Sequence, residues 1–231
     1  MEITRNDLKL RYNQTGAASA APRERNSGLG GFGIPAGHIA DTRPYEIRWH
    51  GRGGQGAITA AKILAQAAHL DGYLGATSAP SFGAERRGAP VSGSTRISSR
   101  PIMIVSQIEE PDMVVVLDHT LLRDPEVLSG LRTEGWLVVN CLKSPGQLNI
   151  KGKFNVATVD ATGICRELGL IVGGLIIVNT AMLGAVLRAS GLVDLANLNK
   201  PIRDRFSKRA ADLNLAAIEK TYRETIIEKT R

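Results

Sequence analysis

Residues 45–70 read YEIRWHGRGGQGAITAAKILAQAAHL, and the fold class follows from this stretch. Tyr45–His50 mixes aromatic and β-branched residues with charged ones, as a strand does. Gly51-Arg52-Gly53-Gly54-Gln55-Gly56 then breaks the run. Ala57–Leu70 is alanine-rich with apolar residues at helical spacing, and Asp71-Gly72 closes it. A strand, a glycine loop and a helix in that order open an α/β sheet.

The pattern continues downstream. Residues 73–78 predict a short strand, Ser81–Pro90 a loop, and Val91–Ile97 alternates with period two. Ile102–Val105 and Met113–Leu117 predict further strands, the second a valine run suited to a fully buried parallel position. A helix is expected around Leu121–Leu131. Trp136–Cys141 and Phe154–Val159 complete the sheet, and the remainder is read as helical. The expected architecture is an open, mostly parallel, doubly wound sheet with flanking helices. Residues 13–31 contain one large apolar residue, Leu29, and cannot bury enough surface to offset their ordering entropy. Residues 1–44 are therefore read as an N-terminal extension ordered on a partner subunit, and residues 45–231 as the domain proper.

Composition narrows the classes. The 231 residues are 43% hydrophobic and 22% charged, which excludes a disordered or collagen-like chain. Two cysteines, Cys141 and Cys165, form no CxxC. A zinc finger, a disulfide scaffold and an iron–sulfur site ligated by this chain alone are excluded, and the usage fits a reducing cytoplasm. Leu170–Leu187 is long enough to weigh as a membrane span, but Asn179, Thr180 and three glycines interrupt it; a buried helix is expected and no membrane partner. The net charge is +7, with nine Lys/Arg against five Asp/Glu from Lys200 onward. Aromatics at 4% offer few platforms for stacking bases, so nucleic acid is not expected as a partner.

Two loops carry the candidate chemistry. Gly51, Gly53 and Gly56 fit GxGxxG between strand and helix, where backbone N–H groups can meet an anion; the alternative is a tight turn that packs helix on sheet. Asp71 lies 20 positions after Gly51, the spacing of a ribose-binding acid, but it ends the helix rather than the second strand. Pro80–Pro90 holds Glu85, Arg86 and Arg87 between Gly83 and Gly88. It reads equally as a solvated loop or as guanidinium forks presented to an anion. His50, the Asp118-His119 pair and Cys141 read as structural.

Taken together, WHGRGGQGAITAAKILAQAA and PSFGAERRGAPVSGSTRIS closely resemble the gamma subunit of the 2-oxoacid:acceptor oxidoreductases, the pyruvate, ketoisovalerate and phenylglyoxylate:ferredoxin type. EEPDMVVVLD, NTAMLGAVL and FSKRAADLNLAA extend the resemblance from about Tyr45 to Ala217. It implies a fold like domain III of pyruvate:ferredoxin oxidoreductase. It further implies a complex that decarboxylates a 2-oxoacid on thiamine diphosphate, passes electrons through [4Fe-4S] clusters to ferredoxin or another acceptor, and yields an acyl-coenzyme A. This chain has neither a GDG thiamine motif nor a cluster-binding cysteine set. The resemblance therefore implies a non-redox subunit, inactive alone, with alpha, beta and delta-type partners carrying the cofactors. It implies that this subunit shapes the coenzyme A side of the active site. Arginine charge suits the coenzyme A phosphates, so the expected contacts are Arg52, Gly53, Gly54, Gln55, Arg86 and Arg87; the alternative is that Glu85, Arg86 and Arg87 form ion pairs at the subunit interface. The rival reading is a free-standing NAD-dependent oxidoreductase built on the GxGxxG loop.

Overall fold

A computed structural model describes residues 43–80, 88–103 and 106–230. The expected extension, apart from Arg43 and Pro44, lies outside the described residues, as do Glu85, Arg86 and Arg87. The first strand, β1 (Tyr45–Arg52), runs two residues past His50, and α1 (Ala57–Leu70) follows the glycine loop. Ala57, Ala60, Ala61, Ile63, Leu64, Ala67 and Ala68 of α1 are all buried. Their spacing of three and four forms one stripe, and the alanines let the helix lie close on the sheet. Asp71 caps the helix, and Gly72 turns the chain with a φ of 100°.

Next come β2 (Gly75–Pro80), β3 (Pro90–Ser98), β4 (Met113–Val116), β5 (Trp136–Asn140) and β6 (Asn155–Val159). The sheet order is β2-β3-β1-β4-β5-β6, closed by β9 (Ile226–Glu228). Pairing is parallel across β1, β4, β5 and β6, and antiparallel at β3 and β9. β2 is antiparallel to β3 and so points the same way as β1. Five of the seven strands thus share a direction, which is the expected open, mostly parallel α/β sheet.

The two faces are covered differently. Ile47, Trp49, Met113, Val115 and Val138 pack in one cluster with α1, α2 (Ala161–Glu167), α3 (Ala181–Ser190), α4 (Asn199–Arg205) and α5 (Lys208–Glu224). Val114, Val116, Leu137 and Val139 face the other way, against Leu121, Val127 and Cys141. The helix expected at Leu121–Leu131 is instead two 3₁₀ turns, His119–Arg123 and Pro125–Leu128. Asp118 accepts from the Thr120 amide and Asp124 from the Glu126 amide, so each starts its own turn, and Pro125 cannot continue a helix.

Leu170–Leu187 departs further from expectation. Ile171–Val172 (β7) and Leu175–Ile176 (β8) form a hairpin, because Gly173 and Gly174 both take positive φ. Only its second half is helical, within the ten-residue α3. No helix among the described residues is long and apolar enough to cross a membrane. Within α3, Gly184 presses against the α5 backbone: a Cβ there would lie 2.1 Å from the Ile218 carbonyl oxygen. Ile102 and Met103 form no strand, while Ile104 and Val105 lie outside the described residues. The C-terminal stretch, read as helical, ends instead in edge strand β9 beside β6, where Ile226 and Ile227 favour extended backbone.

Candidate functional site

After β1 the chain passes through α1 to β2 and β3 on one side, then crosses to β4 on the other. Loops diverging at such a switch leave a crevice at the carboxyl ends of the parallel strands. Here it measures about 700 Å³ and is lined by the glycine loop, Gly88, the ends of β4 to β6, and the β7–β8 hairpin.

The glycine loop forms its near wall, and most of its polar groups are already engaged. The Gly53 amide donates to the Ala89 carbonyl at 2.8 Å, and the Gly88 amide donates to Gly53 at 3.0 Å. These bonds tie the loop to the chain entering β3. Gln55 closes the turn on itself: its Oε1 accepts from the Arg52 amide at 2.7 Å, and its own amide donates to Arg52 at 2.8 Å. Arg52 Nε donates to Asp118 at 2.8 Å, Nη2 to the Thr120 hydroxyl at 2.8 Å, and Nη1 to the Gly88 carbonyl at 3.2 Å. The structure therefore brings Arg52, Gly53, Gly54 and Gln55 together on the crevice, but three of the four act on the loop itself. The Gly54 amide meets no acceptor among the described residues. Gly54 holds a φ of 95° and Gly56 a φ of 79°, a region that favours glycine. The Asn179 side chain fills the space beside Gly56 and its Nδ2 donates to the Gly56 carbonyl at 3.2 Å; its buried Oδ1 has no partner.

Three polar residues that sequence reading left unassigned to a site stand at the ends of consecutive strands: Asp118 after β4, Asn140 in β5 and Asp160 after β6. Burial works to raise the Asp118 carboxyl, but hydrogen bonds from Thr120 and Arg52 outweigh it and hold it below the usual carboxylate range. Asn140 Nδ2 donates to the Leu117 carbonyl and the Thr162 hydroxyl, both at 2.9 Å, while its Oδ1 accepts from the Thr162 amide at 3.2 Å. Asp160 caps α2 by accepting from the Gly163 amide at 2.8 Å. These bonds pin the start of α2 to the sheet and fix the far wall, where Arg166 lies exposed. A polar residue closing each of three buried strands was the available signal.

Apolar residues frame the opening. Leu142 is 85% exposed, and Ile171, Val172 and Leu175 of the hairpin are exposed as well. Those four are half of the large apolar side chains exposed among the described residues, and Leu142 and Leu175 line the crevice itself. Cys141 lines the crevice and Cys165 lies on the buried side of α2; burial pushes both thiols up, Cys165 to about 12, so both are protonated at neutral pH. No group of three or more His, Cys, Asp or Glu among the described residues is placed to hold a metal ion.

The NAD reading has no geometric basis here. A ribose-binding acid belongs on the parallel strand next to β1 that the first helix leads into. That helix leads instead to β2, separated from β1 by β3 and ending in Ala79-Pro80. Asp71 caps α1 and accepts from Asn197 Nδ2 at 2.5 Å. His50 also lies away from the crevice, its Nε2 accepting from Arg48 Nε at 3.1 Å.

Comparison with known proteins adds independent findings. The pyruvate ferredoxin/flavodoxin oxidoreductase family model matches residues 46–224. The pyruvate/ketoisovalerate oxidoreductases common subunit gamma of Pyrococcus furiosus is 49% identical over 184 residues, 78% of this chain and 96% of the relative. The pyruvate synthase subunit PorC of Methanocaldococcus jannaschii is 46% identical over 181 residues, 78% of this chain and 97% of the relative. The crystal structure of the pyruvate oxidoreductase subunit PORC of Thermotoga maritima superposes with a TM-score of 0.70 at 36% identity, covering 81% of this chain and 99% of that one.

Proposed function

Because the chain belongs to the pyruvate ferredoxin/flavodoxin oxidoreductase family, as a gamma subunit of a 2-oxoacid:ferredoxin oxidoreductase complex, we propose that it completes the coenzyme A side of that complex's active site. Its partners are alpha, beta and delta-type subunits that carry thiamine diphosphate and [4Fe-4S] clusters. Two cysteines, both buried, do not make a cluster-binding set, which supports placing the clusters in the partner subunits. It is a non-redox subunit, inactive alone.

The crevice at the carboxyl ends of the parallel strands carries this reading. It is roomy and open, with the Gly54 amide toward one wall, a guanidinium on the other and an apolar rim. A phosphate-bearing thiol that accepts an acyl group needs N–H donors and positive charge at one end and a dry channel at the other. Ligand-binding residues here serve to hold and orient coenzyme A; the chemistry occurs on cofactors of the partner subunits. The exposed leucines and the hairpin supply apolar surface on which a partner subunit closes the channel.

Hydrogen exchange on the intact complex tests the reading. Added coenzyme A should slow exchange at Gly54–Thr59 and Asp160–Arg166 and leave the β2 edge unchanged. Unaltered exchange at both segments, under conditions where the complex turns over a 2-oxoacid, would overturn it. A second measurement addresses the rim: Leu142→Asp or Val172→Asp should leave the subunit's own melting temperature in place and weaken its assembly with partner subunits.

A further inference from the structure

We propose that Arg166 is the charge-recognition residue of the crevice, taking a phosphate group of the nucleotide end of the ligand. The inference rests on the coenzyme A reading and assigns to it a residue of α2 instead of the glycine-loop arginine.

The argument begins with Arg52, the arginine closest in sequence to the glycines. Its three kinds of nitrogen are committed to Asp118, Thr120 and Gly88. The carboxylate it touches at 2.8 Å offsets its charge, so an incoming phosphate would compete with an ion pair already made. Arg166 lines the same crevice and is exposed, and no hydrogen bond or ion pair engages its guanidinium among the described residues. Arg52 and Arg166 are the only arginines lining that crevice among the described residues, which leaves Arg166 as the one with an uncommitted fork.

The side chain is exposed, but the helix that carries it is fixed. Asp160 caps α2, and Asn140 holds Thr162 by two hydrogen bonds. Ile164 and Cys165 bury the opposite side of α2 in the core. The Arg166 backbone is thereby held in place before any ligand arrives, and only the side chain must be ordered on binding. A guanidinium suits a phosphate because two parallel N–H groups match two oxygens. Leu175, Ile176 and Val178 share the crevice and lower the local dielectric, which strengthens a charged contact. A rim arginine merely solvated at the surface would share the exposure but make no difference to ligand binding.

The test compares coenzyme A with pantetheine, which keeps the thiol arm but has no nucleotide phosphates, as acceptors for the intact complex. Arg166→Ala should raise the KM for coenzyme A roughly tenfold to a hundredfold, the usual effect of losing a charged hydrogen bond. The KM for pantetheine should not move, Arg166→Lys should recover part of the loss, and the melting temperature should stay put because the side chain is exposed. An unchanged KM for coenzyme A overturns the proposal, and so does an equal rise for both acceptors, which marks a distorted site. If coenzyme A fails to protect the wild-type crevice from exchange, the underlying coenzyme A reading fails first, independently of any variant.

Discussion

The two ends of the parallel strands each carry an arginine bound to an aspartate, buried at one end and half-buried at the other, yet they are built for different ends. At the amino end, Asp112 accepts from Arg43 Nη1 and from the Glu46 amide, both at 2.8 Å, and a second Arg43 nitrogen meets its other oxygen. Its backbone adds bonds to Glu46 and Trp136, joining β1, β4 and β5. Arg132 sits beside it, paired with Glu110 at 2.6 Å. At the carboxyl end, Asp118 and Arg52 form a similar pair, but the neighbouring groups are left open: the Gly54 amide, Arg166 and the exposed leucines. One end spends its charges on joining strands, while the other spends one pair on shaping a loop and keeps the rest available. Cationic residues near a glycine loop are therefore not interchangeable; which one can meet a ligand depends on which is already paired.

Substitutions can break that contrast, beginning with the largest effect. Asp112→Ala removes several charged hydrogen bonds and strands the Glu46 amide, so urea unfolding should show a loss of about 3–4 kcal/mol. Asp118→Ala, nearer solvent, should cost about 1–2 kcal/mol and loosen exchange at the glycine loop, an effect absent from the Asp112 variant. Equal losses with no change in the loop would erase the distinction drawn between the two ends.

A pH dependence sharpens it. His50 lies near the carboxyl end of β1, and burial, with the adjacent Arg48 charge second, lowers its pKa from 6.5 to about 4. The unfolded chain takes up that proton near pH 6.5 while the folded chain resists it until about pH 4. Stability from this group is therefore complete above pH 6.5 and falls as pH drops toward 4, by up to about 3 kcal/mol. His50→Gln should flatten that part of the curve; an unchanged slope would show that other groups govern acid stability.

The glycine loop provides a finer comparison. At Gly56 an added Cβ would lie 2.3 Å from Asn179 Nδ2, whereas at Gly54 the nearest atom among the described residues is Leu175 Cδ1 at 4.0 Å. Both hold positive φ, so Gly56→Ala should cost about 2–3 kcal/mol and Gly54→Ala about 1–2 kcal/mol in thermal or urea unfolding. Equal costs would mean that Asn179 yields freely. Smallest of all, the exposed Lys200–Asp204 pair at 2.6 Å should change stability by no more than about 0.5 kcal/mol when Asp204 becomes Ala.

Residues 45–70 carried enough information to place β1, the glycine loop and α1 within two residues, because strand period, glycine break and alanine stripe are all local. The valine runs of β4 and β5 were legible for the same reason. Leu170–Leu187 was not: hydropathy alone cannot distinguish an apolar helix from a hairpin, and the positive φ at Gly173 and Gly174 decides it. The turns after β4 were missed because two aspartate caps and Pro125 outweigh the apolar spacing.

The site divides along the same line. Composition and motif alone determined that this is an α/β chain with a glycine loop after its first strand, since both depend on residue type and near-neighbour spacing. Only the tertiary structure decided what the loop's groups are free to do. Gly53 is tied to Ala89, and Arg52 to Asp118, residues 36 and 66 positions away. Arg166 comes to the same crevice from a fourth element. Those partners are set by the order in which the strands assemble, and no local pattern of charge or hydrophobicity encodes that order.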